Sequence, residues 1–529
     1  MAMKKRDIYR KWLILIMAAL LILTPGVNAE ENPEDDSDDY DYYYTEDDEE
    51  YGEYDGEGEE AEFFDENQLW YVVQVSEPDG DGGGKPVILE YDAEDELPED
   101  GEYRWYTCDQ SGQAGEFLAV TRDNRYETEG FDKPEVRYYL CELSAGGESF
   151  ANELFAAGFT GLPLVRINTE RGEEIAYHDY YLSGSMVILD GETALEVPIS
   201  VKGRGNSTFG HPKKPYTVKL EKKRSLLGMG ETKKWALLAG YCDKTLLRAP
   251  LGFKVSELMN LAYTPAYRYV DLVINGEYAG NYLLTETPKE ESKRLNISKS
   301  GFMVEESQND TVTNDPHFRS EKNNLLFRFH YPDKEKITAE IQKTVSGEID
   351  RMEQALLNLG AEDDLPEEID ADSWINWMLV QNILANMDTN RYYYKTGSGG
   401  KICMGPAWDF ERSVGIGWDN NERANPNHKL VLTTDYLRKL MENKQFVKKL
   451  KERWQEVSGG LTDILIDFME ETAREIRFSR ELNFCRWTIM NQKIFMGGNP
   501  LGSWEAEFEC DKTYLKEHLL WLNEHIGGM

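Results

Sequence analysis

Hydrophobic and polar positions divide the chain into four stretches. Residues 12–23 form an unbroken apolar run of 12, behind a basic cluster of Lys4, Lys5, Arg6, Arg10 and Lys11. A spanning helix needs roughly 20 apolar residues, and Val27-Asn28-Ala29 suits cleavage after small residues. Residues 1–29 are therefore read as a signal peptide, with an uncleaved anchor as the alternative. Either way the remainder is exported, and no membrane span is expected after cleavage. Residues 30–66 contain almost no aliphatic side chains and cannot offset the ordering entropy of a fold. Alternation returns in residues 67–148, where 70–75, 87–89, 103–106 and 137–142 read as strands of a small all-β domain. Residues 160–529 exceed the usual single-core size and turn from strand-like to helical patterning, so the fold class is α+β.

Within this larger part, residues 164–167, 185–189, 195–201 and 216–220 are strand-like. Residues 269–274 and 280–285 flank Asn275-Gly276, a pair suited to a type I′ hairpin turn. Residues 245–259 have helical spacing and carry Arg248 and Glu257. Residues 371–386 read as an amphipathic helix whose apolar stripe (Trp374, Ile375, Met378, Leu379, Ile383, Leu384) is core. From Thr434 onward the pattern is mostly helical.

Charge changes the picture in one place. The chain carries a net −40, and residues 30–66 hold 21 Asp or Glu, six Tyr and no Lys or Arg. That stretch is a solvated, self-repelling spacer, or else a tail that binds cations, basic wall polymers or a basic partner. Without it and without the +4 of the signal peptide, the remainder still carries −23, which argues against nucleic-acid binding. The seven His show no zinc-like spacing. Export permits disulfides among the six cysteines. The pairing of Cys242, Cys403, Cys485 and Cys510 is not deducible from spacing. In the β domain, Trp105 followed by Tyr139 and Cys141 resembles the immunoglobulin-like pattern, without its early-strand cysteine. Cys108, three residues after Trp105, is the expected bridge partner of Cys141.

The chemistry concentrates in residues 386–415. Residues 392–394 and 402–404 flank a Gly/Ser turn at 397–400, the pattern of a hairpin. Such a hairpin brings Asp388 and Asp409 to one site beside Asn390. Two carboxylates there can share a divalent cation and orient a hydroxyl. Upstream, residues 202–208 (KGRGNST) form a Gly-rich turn, either a plain loop or a phosphate-approach loop with Arg204 adding charge. Lys219 sits mid-strand, pointing opposite Val218 and Leu220. Residues 419–427 are polar and read as a mobile loop beside the site.

An aspartate, a nearby asparagine, a hairpin and a second, metal-binding aspartate form a layout similar to that of protein kinases. The segments KGRGNSTF, KKPYTVKL, LLGMGETKKWALLAGYCDKTLLR, YTPAYRYVDLVINGEYAGNYLLTE, NMDTNRYYYK and MGPAWDFERSVG, in that order, resemble the CotH kinase family. The resemblance implies an atypical protein-kinase-like domain with a helical C-terminal part, here preceded by an immunoglobulin-like sandwich. It implies ATP and Mg²⁺ as cofactors and protein Ser or Thr as acceptor. By this likeness Asp388 is the catalytic aspartate and Asp409 the metal aspartate, with Asn390 and Glu411 in the metal set. Arg204 and Lys219 serve the phosphates, Glu286 marks the hinge that receives adenine, and Trp408 stacks on it. Glu257 fits either the helix partner of Lys219 or a solvated surface carboxylate. Many members place the asparagine five residues after the first aspartate, and many have Asp-Phe-Asp where this chain has Asp409-Phe410-Glu411.

The expectation is thus an exported protein kinase acting on extracellular or cell-envelope proteins, itself included. The alternatives are a non-catalytic cell-surface binding or adhesion protein on a kinase-like scaffold, and a carbohydrate-active accessory enzyme. The last lacks a carboxylate pair in matching local context.

Overall fold

The structure, a computed structural model, describes residues 69–92, 101–146, 148–205, 207–288, 295–307, 316–416 and 429–529. The expected signal peptide, the acidic stretch, the polar loop 419–427 and Asn206 lie outside the described residues.

The first unit consists of β1 (Tyr71–Val75), β2 (Ile88–Glu90), β3 (Glu102–Cys108), β4 (Ala114–Thr121), β5 (Arg125–Glu127), β6 (Glu135–Ala145) and β7 (Glu148–Phe159). Five strands form one sheet in the order β1-β7-β6-β3-β4, and β2 pairs with β5 in a second. Trp105, fully buried, shares one core with Leu89, Tyr139, Cys141 and Phe155. Strand β7 runs antiparallel to β6 and parallel to β1, so this unit reaches residue 159 and not the expected 148.

The expected Cys108–Cys141 bridge does not form, and all six cysteines are free. The ladder sets Cys141 opposite Trp105 and Cys108 opposite Tyr138. That three-residue offset is about 10 Å at ~3.3 Å per residue, beyond the ~7 Å Cα reach of a disulfide. Being odd, it also turns the two thiols to opposite faces of the sheet.

The second unit opens with β8 (Leu164–Thr169), β9 (Leu182–Asp190), β10 (Thr193–Gly203), β11 (Tyr216–Ser225), β12 (Glu231–Leu238), β13 (Tyr267–Ile274) and β14 (Glu277–Glu286). They close into a barrel in the order β10-β11-β12-β14-β13-β8-β9. Alternation turns Val165, Val201, Val218, Trp235, Leu272 and Leu284 into its core. The β13–β14 turn has Asn275 at φ 50° and Gly276 at φ 90°, as the Asn-Gly pair requires.

Between β12 and β13 lies α1 (Arg248–Leu258). After the barrel come β15 (Phe302–Glu306), β16 (His317–Arg319), β17 (Leu326–Tyr331), α2 (Ala339–Leu357), α3 (Ala371–Ile383), β18 (Arg391–Lys395) and β19 (Cys403–Met404). The chain ends in α4 (Asp435–Glu442), α5 (Lys444–Val457), α6 (Leu461–Glu475), α7 (Arg477–Arg486) and α8 (Trp504–Gly528). A sheet in the order β16-β17-β15-β18-β19 carries the anticipated hairpin. Helix α3 starts where Asp370 accepts from the Ser373 amide at 2.9 Å. It is buried nearly all round and not amphipathic: Trp374, Trp377, Met378 and Val380 are all inaccessible, because α1, α5, α8 and β19 pack on its different sides.

Helix α7 seats the first unit on the barrel, with Leu482 buried against Val73, Ala156 and Tyr278. The Tyr138 hydroxyl donates to Glu481 at 2.7 Å. Among the described residues no helix is long and apolar enough to cross a membrane.

Candidate active site

Strands β18 and β19 pair Tyr393 with Met404 and Tyr394 with Cys403, so the outer ends of the hairpin return to the same place. Helix α3 ends in a left-handed residue, Ala385 at φ 47°, which turns the chain so that Asn386 is buried between the two ends. Its amide nitrogen donates to the Asp409 carbonyl at 3.0 Å and to Gln381 Oε1 at 2.9 Å. Its oxygen accepts from the Asp388 amide at 3.4 Å. The Met387 amide adds a bond to the Arg412 carbonyl at 3.4 Å. Asp388 and Asp409 are therefore held together through their own backbones, and Asp409 takes a left-handed φ of 63°. Backbone strain in a non-glycine residue tends to mark functional positions.

The electrostatics follow from this crowding. Asp409 is exposed to solvent although its neighbours Trp408 and Phe410 are buried. Burial and then the Asp388 charge hold its carboxyl well above the usual range, opposed by Arg204 and Arg412. Because solvent reaches it, the neighbouring charge is the firmer of the two causes. Glu411, half-buried, is pushed up by burial, then by Asp409 and Asp243, with Arg204 again opposing. Asn390 donates its amide to Glu305 at 3.0 Å, leaving its carbonyl oxygen available as an acceptor. Glu305 is buried, yet bonds and charge from His330, with Asn390 and Arg328 adding to them, hold it below the usual range.

Behind the loop, Arg248 is buried between Asp243 at 2.9 Å and Asp511 at 2.8 Å. It also donates to the Ser413 carbonyl at 3.1 Å. Lys213 donates to the carbonyls of Ala239 at 2.6 Å and Asn281 at 2.5 Å and to Asn483 Oδ1 at 2.9 Å. Burial lowers its pKa to about 7, with Asp271 and Glu411 opposing.

The structure thus brings Asp388, Asp409, Glu411 and Arg204 into one cluster, with Asn390 linked to it through Glu305. The other expected residues sit differently. Trp408 is buried, packed on Phe253 at 5.7 Å with Arg204 over its ring at 5.6 Å. It is a wall of the recess that carries Arg204, not an open stacking face. Lys219 stands over the Tyr181 ring at 5.8 Å. Glu257 does not pair with it: Glu257 is exposed and raises the pKa of Tyr267. Tyr267 is on β13, three strands from Lys219 on β11, or about 14 Å at ~4.8 Å per strand. Glu286 is buried, its carboxylate accepting from the Tyr263 hydroxyl at 3.0 Å and the Ala266 amide at 3.1 Å.

Residues that sequence reasoning missed are Asn386, Lys213 and the Arg248 clamp. Asn386 had a signal, an asparagine just past a helix end. Asp511 had none, lying 263 positions from Arg248.

Barrel, helical part and a two-aspartate hairpin site define a kinase-like protein of mixed α+β class. The family model described as CotH kinase protein matches residues 201–522, and the chain belongs to that family. No curated protein matches the chain.

Proposed function

We propose that the chain is an exported, ATP-dependent protein kinase that phosphorylates Ser or Thr of extracellular or cell-envelope proteins. The observation that carries this reading is the convergence of Asp388 and Asp409 across the hairpin, locked by Asn386. In it, Asp388 orients a substrate hydroxyl and accepts its proton, while Arg204 faces the phosphates. Positioning and charge stabilisation supply most of the catalysis.

The residues fit Mg²⁺. Three acids crowd one recess, and the raised pKa values of Asp409 and Glu411 mark an excess of negative charge that a cation relieves. Among the described residues no group of three His, Cys, Asp or Glu is arranged to hold a metal ion. That suits an ion held by one or two carboxylates plus nucleotide phosphates. Asp409, Glu411 and the Asn390 carbonyl oxygen are the residues that would hold it. An Mg²⁺ ion held there would supply positive charge to offset that on the phosphate oxygens.

A basic, apolar leader supports export, and the Trp105-centred sandwich, which we read as immunoglobulin-like, supports a binding role for the first unit. On its own that unit also favours a second reading, a non-catalytic surface platform. Phosphate transfer from labelled ATP by the full chain decides between them. Asp388→Ala and Asp409→Ala are each expected to lose about 10²-fold or more. A wild type that transfers no phosphate, and gains no thermal stability from Mg-ATP, leaves the platform reading.

A further inference from the structure

We propose that Glu305 is a positioning residue: it fixes which end of the Asn390 amide faces the aspartates, and so completes the cation site. The inference rests on the Mg²⁺ site of the proposed kinase. Strand β15 pairs with β17 and β18, setting Glu305 opposite Arg328 and Tyr392. Directly opposite residues of a ladder share a face, and alternation adds those two positions away. One face of this sheet therefore carries Arg328, His330, Glu305, Asn390 and Tyr392, while Phe327, Glu306, Arg391 and Tyr393 take the other. Glu305 is buried, and its two oxygens serve different neighbours. Oε2 meets His330 Nε2 at 2.8 Å, and Oε1 accepts from Asn390 Nδ2 at 3.0 Å. The His330 ring stands edge-on to Tyr392 at 5.1 Å, so the carboxylate is held from the strands on both sides.

An asparagine can present either end of its amide, and only the oxygen end binds a cation. A carboxylate accepts and does not donate, so Glu305 holds the NH₂ end and turns Oδ1 away from itself. Among the described residues no donor meets that oxygen. Asp388 and Asn390 are half-buried on either side of the buried Thr389, and Glu305 stands near enough to add its charge to that acting on Asp409. Glu305, Asn390 and the two aspartates thus border one space. A fixed amide lets an asparagine only two residues after the first aspartate serve the ion.

Mn²⁺ binding by the full chain, read by electron paramagnetic resonance with and without ADP, tests this without phosphate transfer. Taking the ADP-dependent part removes ions held by the acidic stretch 30–66. Glu305→Gln puts a donor where the acceptor was, so the Asn390 amide turns over and its NH₂ faces the recess. Affinity is expected to fall about 10- to 100-fold, the usual cost of losing such a support. Asn390→Ala should fall as far, and Glu305→Gln combined with Asn390→Ala no further. The swap Glu305→Gln with Asn390→Asp gives residue 390 two oxygens, one to accept from the new amide and one for the ion. It should recover most of the affinity, which a merely structural Glu305 would not allow. Should Glu305→Gln fail to fold, Glu305→Asp withdraws the acceptor by one carbon, keeps the charge beside His330, and should lower the affinity likewise. Wild-type affinity in the folded variant, single effects that multiply in the double variant, or a swap without rescue overturns the proposal. A wild type with no ADP-dependent Mn²⁺ binding overturns it too, whereas the kinase reading is decided by phosphate transfer.

Discussion

Two groups of carboxylates flank the loop from Asp409 to Ser413, and the fold treats them in opposite ways. Asp243 and Asp511 are buried with Arg248 between them, and Thr245 adds bonds to both at 2.6 and 3.2 Å. Every charge there has a partner in contact. Asp388, Asp409 and Glu411 crowd together instead, and among the described residues none of the three makes a direct ion pair. Arg204 and Arg412 act on Asp409, and Arg204 on Glu411, only at a distance. The first group is neutralised by the fold. The second keeps unpaired negative charge, the arrangement expected of the proposed cation and phosphate site and unlike a structural ion cluster. Arg248 joins the two, because its bond to the Ser413 carbonyl anchors the loop that carries Asp409 and Glu411.

Breaking the satisfied cluster should produce the largest effect on stability. Arg248→Met strands two buried carboxylates, and removing one partner of such a group costs about 3–5 kcal/mol. Chemical denaturation of the purified chain measures it. A loss below about 1 kcal/mol would mean that water already reaches Asp243 and Asp511, and the contrast between the clusters would collapse.

Next in size is the strut between the two halves of the open cluster. Asn386→Ala leaves the Asp409 carbonyl and the Asp388 amide without their side-chain partner, at a cost of about 1–3 kcal/mol. If Asn386 positions the aspartates, kcat for phosphate transfer falls while KM for ATP holds. A lower melting temperature with unchanged kcat would make it a structural residue and nothing more.

The protonation of the open cluster offers a finer test. Free Asp and Glu titrate near 4, whereas Asp409 and Glu411 are raised in the folded chain. Between those limits the folded state binds more protons than the unfolded one, so stability falls as pH rises through that window. A cation needs the deprotonated carboxylates. The thermal gain from Mg-ATP should therefore grow from about pH 6 to about pH 8, and Glu411→Gln should flatten the trend. A gain independent of pH, with Glu411→Gln like the wild type, would remove both acids from the metal set.

The site's frame was legible because it is local. The alternation of 392–394 and 402–404 around a Gly/Ser turn set the hairpin, and the hairpin brings Asp388 to Asp409. The Asn275-Gly276 turn was readable for the same reason. What failed depended on register or on distant partners. Pairing Glu257 with Lys219 assumed a neighbouring helix, but Glu257 lies beside Tyr267 of β13, and β12 and β14 stand between that strand and β11. Trp408 looked like a stacking face, but Phe253, far off in sequence, covers it. The apolar stripe of α3 was visible, yet its all-round burial comes from elements distant in sequence on both sides of it, α1 before it and α5 and α8 after it.

The smallest expected effect concerns the cysteines, and it sharpens the role of register. A native disulfide commonly contributes about 2–4 kcal/mol, so a reductant should lower the melting temperature of any chain that relies on one. Here Cys141 is locked in the sandwich core beside Trp105, and Cys108 faces away from it. Cys242 lies 3.0 Å from His211, and Cys485 lies 3.8 Å from the Tyr138 hydroxyl. Burial raises the pKa of the Cys141 and Cys242 thiols, which keeps them protonated and slow to oxidise. Melting with and without reductant should therefore agree to within about 1 °C, far less than the shift ~2 kcal/mol would bring. A clear drop on reduction would show that some pair of cysteines does bridge, and if that pair were Cys108 and Cys141, the β3–β6 ladder would have to slip by three residues, carrying Trp105 away from Cys141 in the core of the first unit.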